Sequence, residues 1–383
     1  MNSHHLESKI QNAKKQKIIL FIFGTRPEII KLFILHRVLQ GSAEFCPLLF
    51  NTEQQSISGD IMDYLNIDVD IKADAITGRS PDLGFFISYL LRNLNEKFND
   101  KTLIPRRKID GIVVQGDTAS AYCGALWGFL NEIPVFHVEA GLRTFDHKNP
   151  FPEEFYRESI ARSSSLNFCP TLISYNNLIK EGIKKEKNFI VGNTINDAMI
   201  TLVNEDKINV PEHKNYILST LHRRENWNNV ADYARILYDV IDKNKTDKKI
   251  LHLLHPNPEI RKSFYSRLNG NMPENLLITE PVHDYFKMLG LVRSSHTILS
   301  DSGGLQEESL FFNIPCGVMR KVTERPEVLE KNAKLLPFEY EKVVDFLEYS
   351  KEYKEYNTSE FDYTYGEGNS SVQIYNILQN FFS

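Results

Sequence analysis

The sequence predicts an α/β protein of two domains, each built on a parallel sheet with helices on both faces. Short apolar runs alternate with stretches of helical periodicity from Ile18 almost to the end of the chain, the pattern that yields parallel sheets. The 383 residues are enough for two such domains. Residues 207–215 are polar and irregular around Pro211, and the alternation restarts after them. The reading is therefore a polar, Lys-rich extension over 1–17, a first domain over 18–206, a second over 207–365 and a terminal helix over 366–383.

In the first half, the apolar run 18–23 is a strand that ends at Gly24-Thr25-Arg26-Pro27-Glu28 and passes into a helix to about Leu39. Gly24 permits a tight turn and Pro27 suits a first helical turn. Such a turn offers backbone N–H groups and the Arg26 guanidinium to a phosphate. It is equally a plain strand-to-helix turn in which Arg26 pairs with Glu28. Lys31, one turn on, is either a further cation for the ligand or a solvated charge. Residues 45–51 form the next strand, and helices are expected over 58–65 and 81–98. In the latter, Leu83, Phe86, Leu90 and Leu94 make a core stripe.

The densest chemistry follows, between Val113 and Glu154. A buried strand over 112–114 ends at Gly116 and Asp117, and Thr118 can cap a helix to Leu130. A second strand over 134–138 carries His137 and ends at Glu139, Gly141 and Arg143. Glu153 and Glu154 open another helix behind Pro152. One carboxylate at a strand end can be a mere helix cap. Three acids and a histidine at adjacent strand ends fit proton transfer better, because unrelieved like charges cost stability. Strands at 166–169 and 189–191, the helices after them, and Gly192-Asn193-Thr194 complete this half.

The second half opens with a strand over 216–220 and the run Leu221-His222-Arg223-Arg224-Glu225-Asn226, which is either a solvated loop or ligand machinery. A strand over 249–254 ends at His255-Pro256-Asn257-Pro258. The strand 297–300 runs into Asp301-Ser302-Gly303-Gly304 and a helix over 305–311. This turn repeats the logic of the first: several N–H donors face outward and two glycines allow close approach. Glu308 on that helix is placed to accept from two ribose hydroxyls, the alternative being a solvated helix charge. Arg325 precedes Pro326, and helices are expected over 340–347 and 372–382. Each half thus carries an anion-friendly turn and extra cations, and a phosphorylated ligand is the economical reading.

Composition narrows the class. Apolar content of 42%, charged content of 25% and a net charge of −5 describe an ordinary globular chain without the basic footprint of a nucleic-acid binder. No apolar run of about 18 residues offers a membrane span, and the first residues lack a signal core. The four cysteines stand far apart with no metal spacing, as expected of buried thiols in the cytoplasm.

The strings GTRPEIIK, QGDT, HVEAGLRT, PFPEE, GNTIND, LHRREN, HPNP, DSGGLQEE and TERPE, in this order, resemble those of the non-hydrolysing UDP-N-acetylglucosamine 2-epimerases of bacteria and archaea. The resemblance runs from Gly24 to about Ser370. It implies a glycosyltransferase-B-like (GT-B-like) fold of two Rossmann-like domains facing a cleft, with the last helix packing back on the first domain. It implies a homodimer that needs no redox cofactor or metal and interconverts UDP-GlcNAc and UDP-ManNAc for surface polysaccharide synthesis. Carried onto this chain, Asp117, Glu139, Glu153 and His222 match catalytic positions. Arg26 and Ser302-Gly303-Gly304 would hold the diphosphate and Glu308 the ribose, with Arg325, Lys31, Arg143, Arg223 and His255 around the substrate.

Two departures stand out. The Gln-His-Arg-Glu run that serves an activating second UDP-GlcNAc in many members reads Gln54-Gln55-Ser56-Ile57 here, and Ala-Ile-Lys-Met-Ala-Pro reads Ile29-Ile30-Lys31-Leu32-Phe33-Ile34. A modified UDP-acetamido sugar, a hydrolysing 2-epimerase and a GT-B glycosyltransferase are the neighbouring readings.

Overall fold

A computed structural model describes residues 3–13, 15–55, 59–74, 82–268 and 272–383. Ser56, Ile57 and the expected helix starts at Ser58 and Pro81 lie outside the described residues. The chain divides into two compact units, Met1–Thr201 with Tyr365–Ser383, and Leu202–Thr364.

The first unit holds strands β1 (Lys17–Phe23), β2 (Phe45–Asn51), β3 (Ile71–Lys72), β4 (Gly111–Gln115), β5 (Val135–Val138), β6 (Leu166–Cys169) and β7 (Asn188–Ile190). They pair in parallel in the order β3-β2-β1-β4-β5-β6-β7. The second unit repeats the plan with β8 (Tyr216–Thr220), β9 (Ile250–Leu253), β10 (Leu276–Thr279), β11 (Ser295–Ser300), β12 (Cys316–Val318) and β13 (Ala333–Leu335). Its order is β10-β9-β8-β11-β12-β13, again all parallel. Both sheets are doubly wound, and the strand order reverses beside β1 in one and beside β8 in the other. The crevice outside the carboxyl ends at such a reversal is where open α/β sheets bind ligands.

The strands are apolar runs because both faces are covered: β2, β4, β5 and β6 are buried at every residue. Helix Arg26–Gln40 starts at a Thr25 capping box with Glu28 as its third residue, and Ala119–Leu130 is capped by the Thr118 hydroxyl.

Several elements went unread in the sequence. The polar extension forms helix Ser3–Asn12, whose Lys9 ammonium sits 2.8 Å from the buried Asp70 carboxylate. β3 is only two residues long, too short to show a period. The helix begun at Tyr340 runs on to Tyr356, beyond the expected end at residue 347, along a polar stretch carrying the Lys351–Glu348 pair.

The terminal helix Ser370–Phe382 belongs to the first unit. Phe381 and Phe382 meet the edge of Phe136, and Tyr375 and Gln379 donate to Glu44. Among the described residues no helix is long and apolar enough to cross a membrane.

Candidate active site

In the first unit the chemistry collects around the ends of β1, β4 and β5. Glu139, the residue after β5, has a left-handed backbone at φ 67°. That conformation is costly for a side chain larger than glycine, so the surroundings must hold it. Lys31 Nζ and Asn193 Nδ2 (3.0 Å) donate to its Oε1, and Gln115 Nε2 donates to its Oε2. Lys31 is therefore a buried ion-pair partner of Glu139 rather than a solvated charge.

Asp117 is paired with Arg157, whose other amino group donates to Glu154 Oε2 at 2.7 Å. The two neighbouring acids of the PFPEE string thus part company. Glu154 is fully buried and accepts from the N–H groups of Thr144 and Phe145 at 2.8 Å each, a structural role. Glu153, at the first position of helix Glu153–Ser163, stays partly accessible.

His137, counted with the acids in the sequence, is buried. Burial pushes it down to about 4, and the neutral ring bonds the Gly116 carbonyl at 2.8 Å, fixing the turn that carries Asp117. Arg143, expected beside the substrate, is buried and held by a neighbouring acid. Its Nε and Nη2 form a bidentate pair with Glu181 at 2.6 and 2.9 Å, and Nη1 caps the Leu142 carbonyl.

The first turn differs from expectation as well. Glu28 Oε2 accepts from the N–H groups of Gly24 (3.0 Å) and Thr25 (2.8 Å), so those donors are not offered to a phosphate. The anion-binding capacity of this turn rests on Arg26, which is half-buried at the helix start.

In the second unit Asp301, at the end of β11, is fully buried. It accepts from the backbone N–H of His222 (2.9 Å) and Arg223 (3.0 Å) and from Asn226 Nδ2 (2.9 Å). The LHRREN run is thereby pinned beside the Ser302-Gly303-Gly304 turn. His222 is exposed, bonds the Thr220 hydroxyl at 2.6 Å and lies 6.0 Å from the ring of His255.

Ser302 caps helix Gly303–Phe311, whose first N–H groups have no carbonyl within the helix to bond. Around this turn three arginines share two acids. Arg325 donates to Glu307 (2.7 Å) and Glu324, Arg320 donates to Glu324 (2.9 Å), and Arg223 lies 3.9 Å from Glu324. The guanidinium groups and the helix start together suit an anion. Glu308 is buried on the same helix, with Oε1 held by the Tyr285 hydroxyl at 2.9 Å.

Sequence reasoning missed Arg157, Glu28, Asn193, Asp301, Glu324 and Tyr285. Arg157 had a signal: three residues from Glu154 on one helix, it shares that residue's face. Asn193, Asp301 and Tyr285 act across long sequence separations, as does Glu28 through Thr118. Among the described residues no group of His, Cys, Asp and Glu is arranged to hold a metal ion.

Known proteins share this architecture over nearly the whole chain. The UDP-GlcNAc 2-epimerase of Neisseria meningitidis, solved bound to UDP-GlcNAc, matches with a TM-score of 0.84 at 30% identity, covering 95% of this chain and all of that one. The enzyme of Methanocaldococcus jannaschii, solved with UDP-GlcNAc and UDP, matches with a TM-score of 0.79 at 32% identity, covering 95% and 99%. The UDP-N-acetylglucosamine 2-epimerase of Campylobacter jejuni is 34% identical over 394 residues, covering 94% of this chain and 97% of its own. Two doubly wound parallel sheets and these likenesses place the protein in the GT-B-like α/β class. Residues 54–379 match the family model for UDP-N-acetylglucosamine 2-epimerase, and the chain belongs to that family.

Proposed function

We propose that this protein interconverts UDP-N-acetylglucosamine and UDP-N-acetylmannosamine without hydrolysis, as a supply step for surface polysaccharide. The observation that carries the reading is the pair of acids at neighbouring strand ends, each beside its own cation: Asp117 with Arg157 and Glu139 with Lys31. The C2–H bond of the sugar has no carbonyl on the ring to activate it, and in this reading inversion proceeds by elimination. A base takes the C2 proton, the C–H electrons form a C1–C2 double bond, and the C1–O bond breaks to release UDP with its negative charge. Protonation of C2 on the opposite face and return of UDP to C1 complete the inversion.

Asp117, Glu139 and Glu153 are the proton carriers in this reading. His222 assists departure of the phosphate. Arg26, Arg223, Arg325 and the Ser302-Gly303-Gly304 turn take the developing charge on UDP, where preorganised donors lower the barrier. Glu308, oriented by Tyr285, holds the ribose, and His255 lies beside His222. The buried, unpaired thiols suit a cytoplasmic enzyme. We also propose a homodimer, in which exposed Phe129, Leu130 and Phe155 are covered by a second copy; light scattering tests this.

Reaction of UDP-GlcNAc in heavy water, followed by NMR, tests the mechanism. The expected result is UDP-ManNAc with deuterium at C2. Free ManNAc and UDP would indicate the hydrolysing reaction, and product without C2 deuterium would overturn elimination.

A further inference from the structure

We infer that Asn193 is a positioning residue for Glu139 and builds the returning end of the chain into the reacting site. The inference rests on the reading of Glu139 as a proton carrier.

Asn193 is 1% exposed. Its Oδ1 accepts from the Ile195 N–H at 3.1 Å, which fixes the amide so that Nδ2 points to Glu139 Oε1 at 3.0 Å. Its own backbone N–H donates to the Tyr365 carbonyl at 2.7 Å, at the residue where the chain re-enters the first unit.

The same short segment grips the returning chain further along. Asn196 Nδ2 donates to the Gly366 carbonyl at 2.7 Å. The Asp197 carboxylate accepts from the N–H groups of Ser370 (3.1 Å) and Ser371 (2.6 Å), capping the last helix. Gly192 has φ 84°, and a Cβ there would stand 2.8 Å from both the Tyr365 carbonyl oxygen and Ser370 Oγ, so the two chain segments meet backbone to backbone.

Glu139 needs such support. Its left-handed backbone aims the carboxylate, and three donors from three elements hold it: Lys31 from helix Arg26–Gln40, Gln115 from β4 and Asn193 from the start of helix Thr194–Asn204. Asn193 is also bonded to the returning strap.

The decisive variant is Asn193→Asp. Aspartate keeps an oxygen for the Ile195 N–H and caps at least as well as asparagine. It offers no donor to Glu139 and sets a second carboxylate against it. The expected result is a fall in kcat of about 10–100-fold with KM within about twofold, and a Tm lowered by the like charge now buried beside Glu139. Asn196→Ala is the comparison, since it loosens the strap without touching Glu139; Tm should fall while kcat is retained.

Wild-type turnover by Asn193→Asp would overturn the inference. So would its failure to fold, or an equal loss of kcat in Asn196→Ala, because Asn193 would then serve only the fold. Deuterium at C2 in the wild-type product is read alongside. Its absence removes the elimination reading itself, whereas its presence with an unimpaired Asn193→Asp removes only the role of Asn193.

Discussion

The Thr118 hydroxyl donates to Glu28 Oε1 at 2.6 Å across 90 residues of sequence. Through its other oxygen Glu28 holds the Gly24 and Thr25 N–H groups, so one buried carboxylate joins the turns after β1 and β4. Those turns carry Arg26 and Asp117. The second unit repeats the device at its own reversal of strand order, where Asp301 after β11 holds the backbone of His222 and Arg223 after β8. In both units an acid shapes the chain by consuming backbone donors.

Burial is the largest cause that raises Glu28, to about 7, against hydrogen bonds from Thr118, Thr25 and Gly24 that lower it. The folded protein therefore binds this proton more tightly than the unfolded chain. The contribution of Glu28 to stability is full below the ordinary value of 4.5 and is lost as pH rises through about 7. Glu28→Gln cannot ionise and retains an oxygen for the backbone donors. The wild-type Tm should fall relative to that of Glu28→Gln between about pH 5 and about pH 8. His36, His137 and His252, lowered by burial to about 3, 4 and 3, act oppositely in both proteins and cancel in the difference. Parallel Tm curves would show that Glu28 does not titrate in this range. Glu28→Ala strands two buried N–H groups and should cost at least about 2 kcal/mol in chemical denaturation.

Arg157→Ala leaves the fully buried Glu154 and the neighbouring Asp117 without their shared cation. Breaking a buried pair from one side costs about 3–5 kcal/mol, so this variant should be strongly destabilised in urea. Arg157→Lys keeps the charge but cannot fork between two carboxylates. It should fold and turn over at least about tenfold more slowly. Full activity in Arg157→Lys would mean that Asp117 needs no fixed partner.

The parallel sheets, most strands and the Thr118 cap were legible because each depends on residues close in sequence: apolar runs, Thr118 before its helix, Pro152 before Glu153. The acids at strand ends were legible for the same reason. Their partners were not. Asn193 reaches Glu139 over 54 residues, and Asp301 reaches Asn226 over 75. Such pairings depend on which strands become neighbours, and no local period encodes that. Arg143 is a further case: it stands in a strong motif, and its partner Glu181 lies 38 residues on.

Gly303 and Gly304 look alike in sequence but occupy different surroundings. A Cβ on Gly303 would stand 2.8 Å from Arg325 Nη1 and 3.2 Å from Glu324 Oε1, and Arg325 is held by two acids. Gly303→Ala should therefore destabilise the free protein by about 1–3 kcal/mol. At Gly304 the nearest atom would be Ser302 Oγ at 4.0 Å. Gly304→Ala should leave the free protein as stable, or more stable by up to about 1 kcal/mol, because alanine favours the helix. If the turn binds diphosphate, the new methyl group obstructs the ligand and calorimetry should show UDP affinity falling at least about tenfold. Unchanged UDP affinity in Gly304→Ala would move the anion site elsewhere.

If Glu308 holds the ribose as proposed, UDP and inorganic diphosphate should respond differently to its loss. Its Oε1 accepts from the buried Tyr285 hydroxyl at 2.9 Å, so the carboxylate has a fixed orientation before any ligand arrives. A ribose would donate two hydroxyls to it, and inorganic diphosphate would donate none. Glu308→Ala should thus weaken UDP by about 1.5–3 kcal/mol, the worth of hydrogen bonds to a charged group. Diphosphate, held by the turn and the arginines, should bind the variant nearly as well as the wild type. Tyr285→Phe removes only the orienting bond and should produce a smaller loss for UDP, about 0.5–1.5 kcal/mol, with diphosphate again unaffected. Titration calorimetry with both ligands on both variants decides it. Equal weakening for UDP and diphosphate would place Glu308 in the electrostatics of the turn and take the ribose away from it.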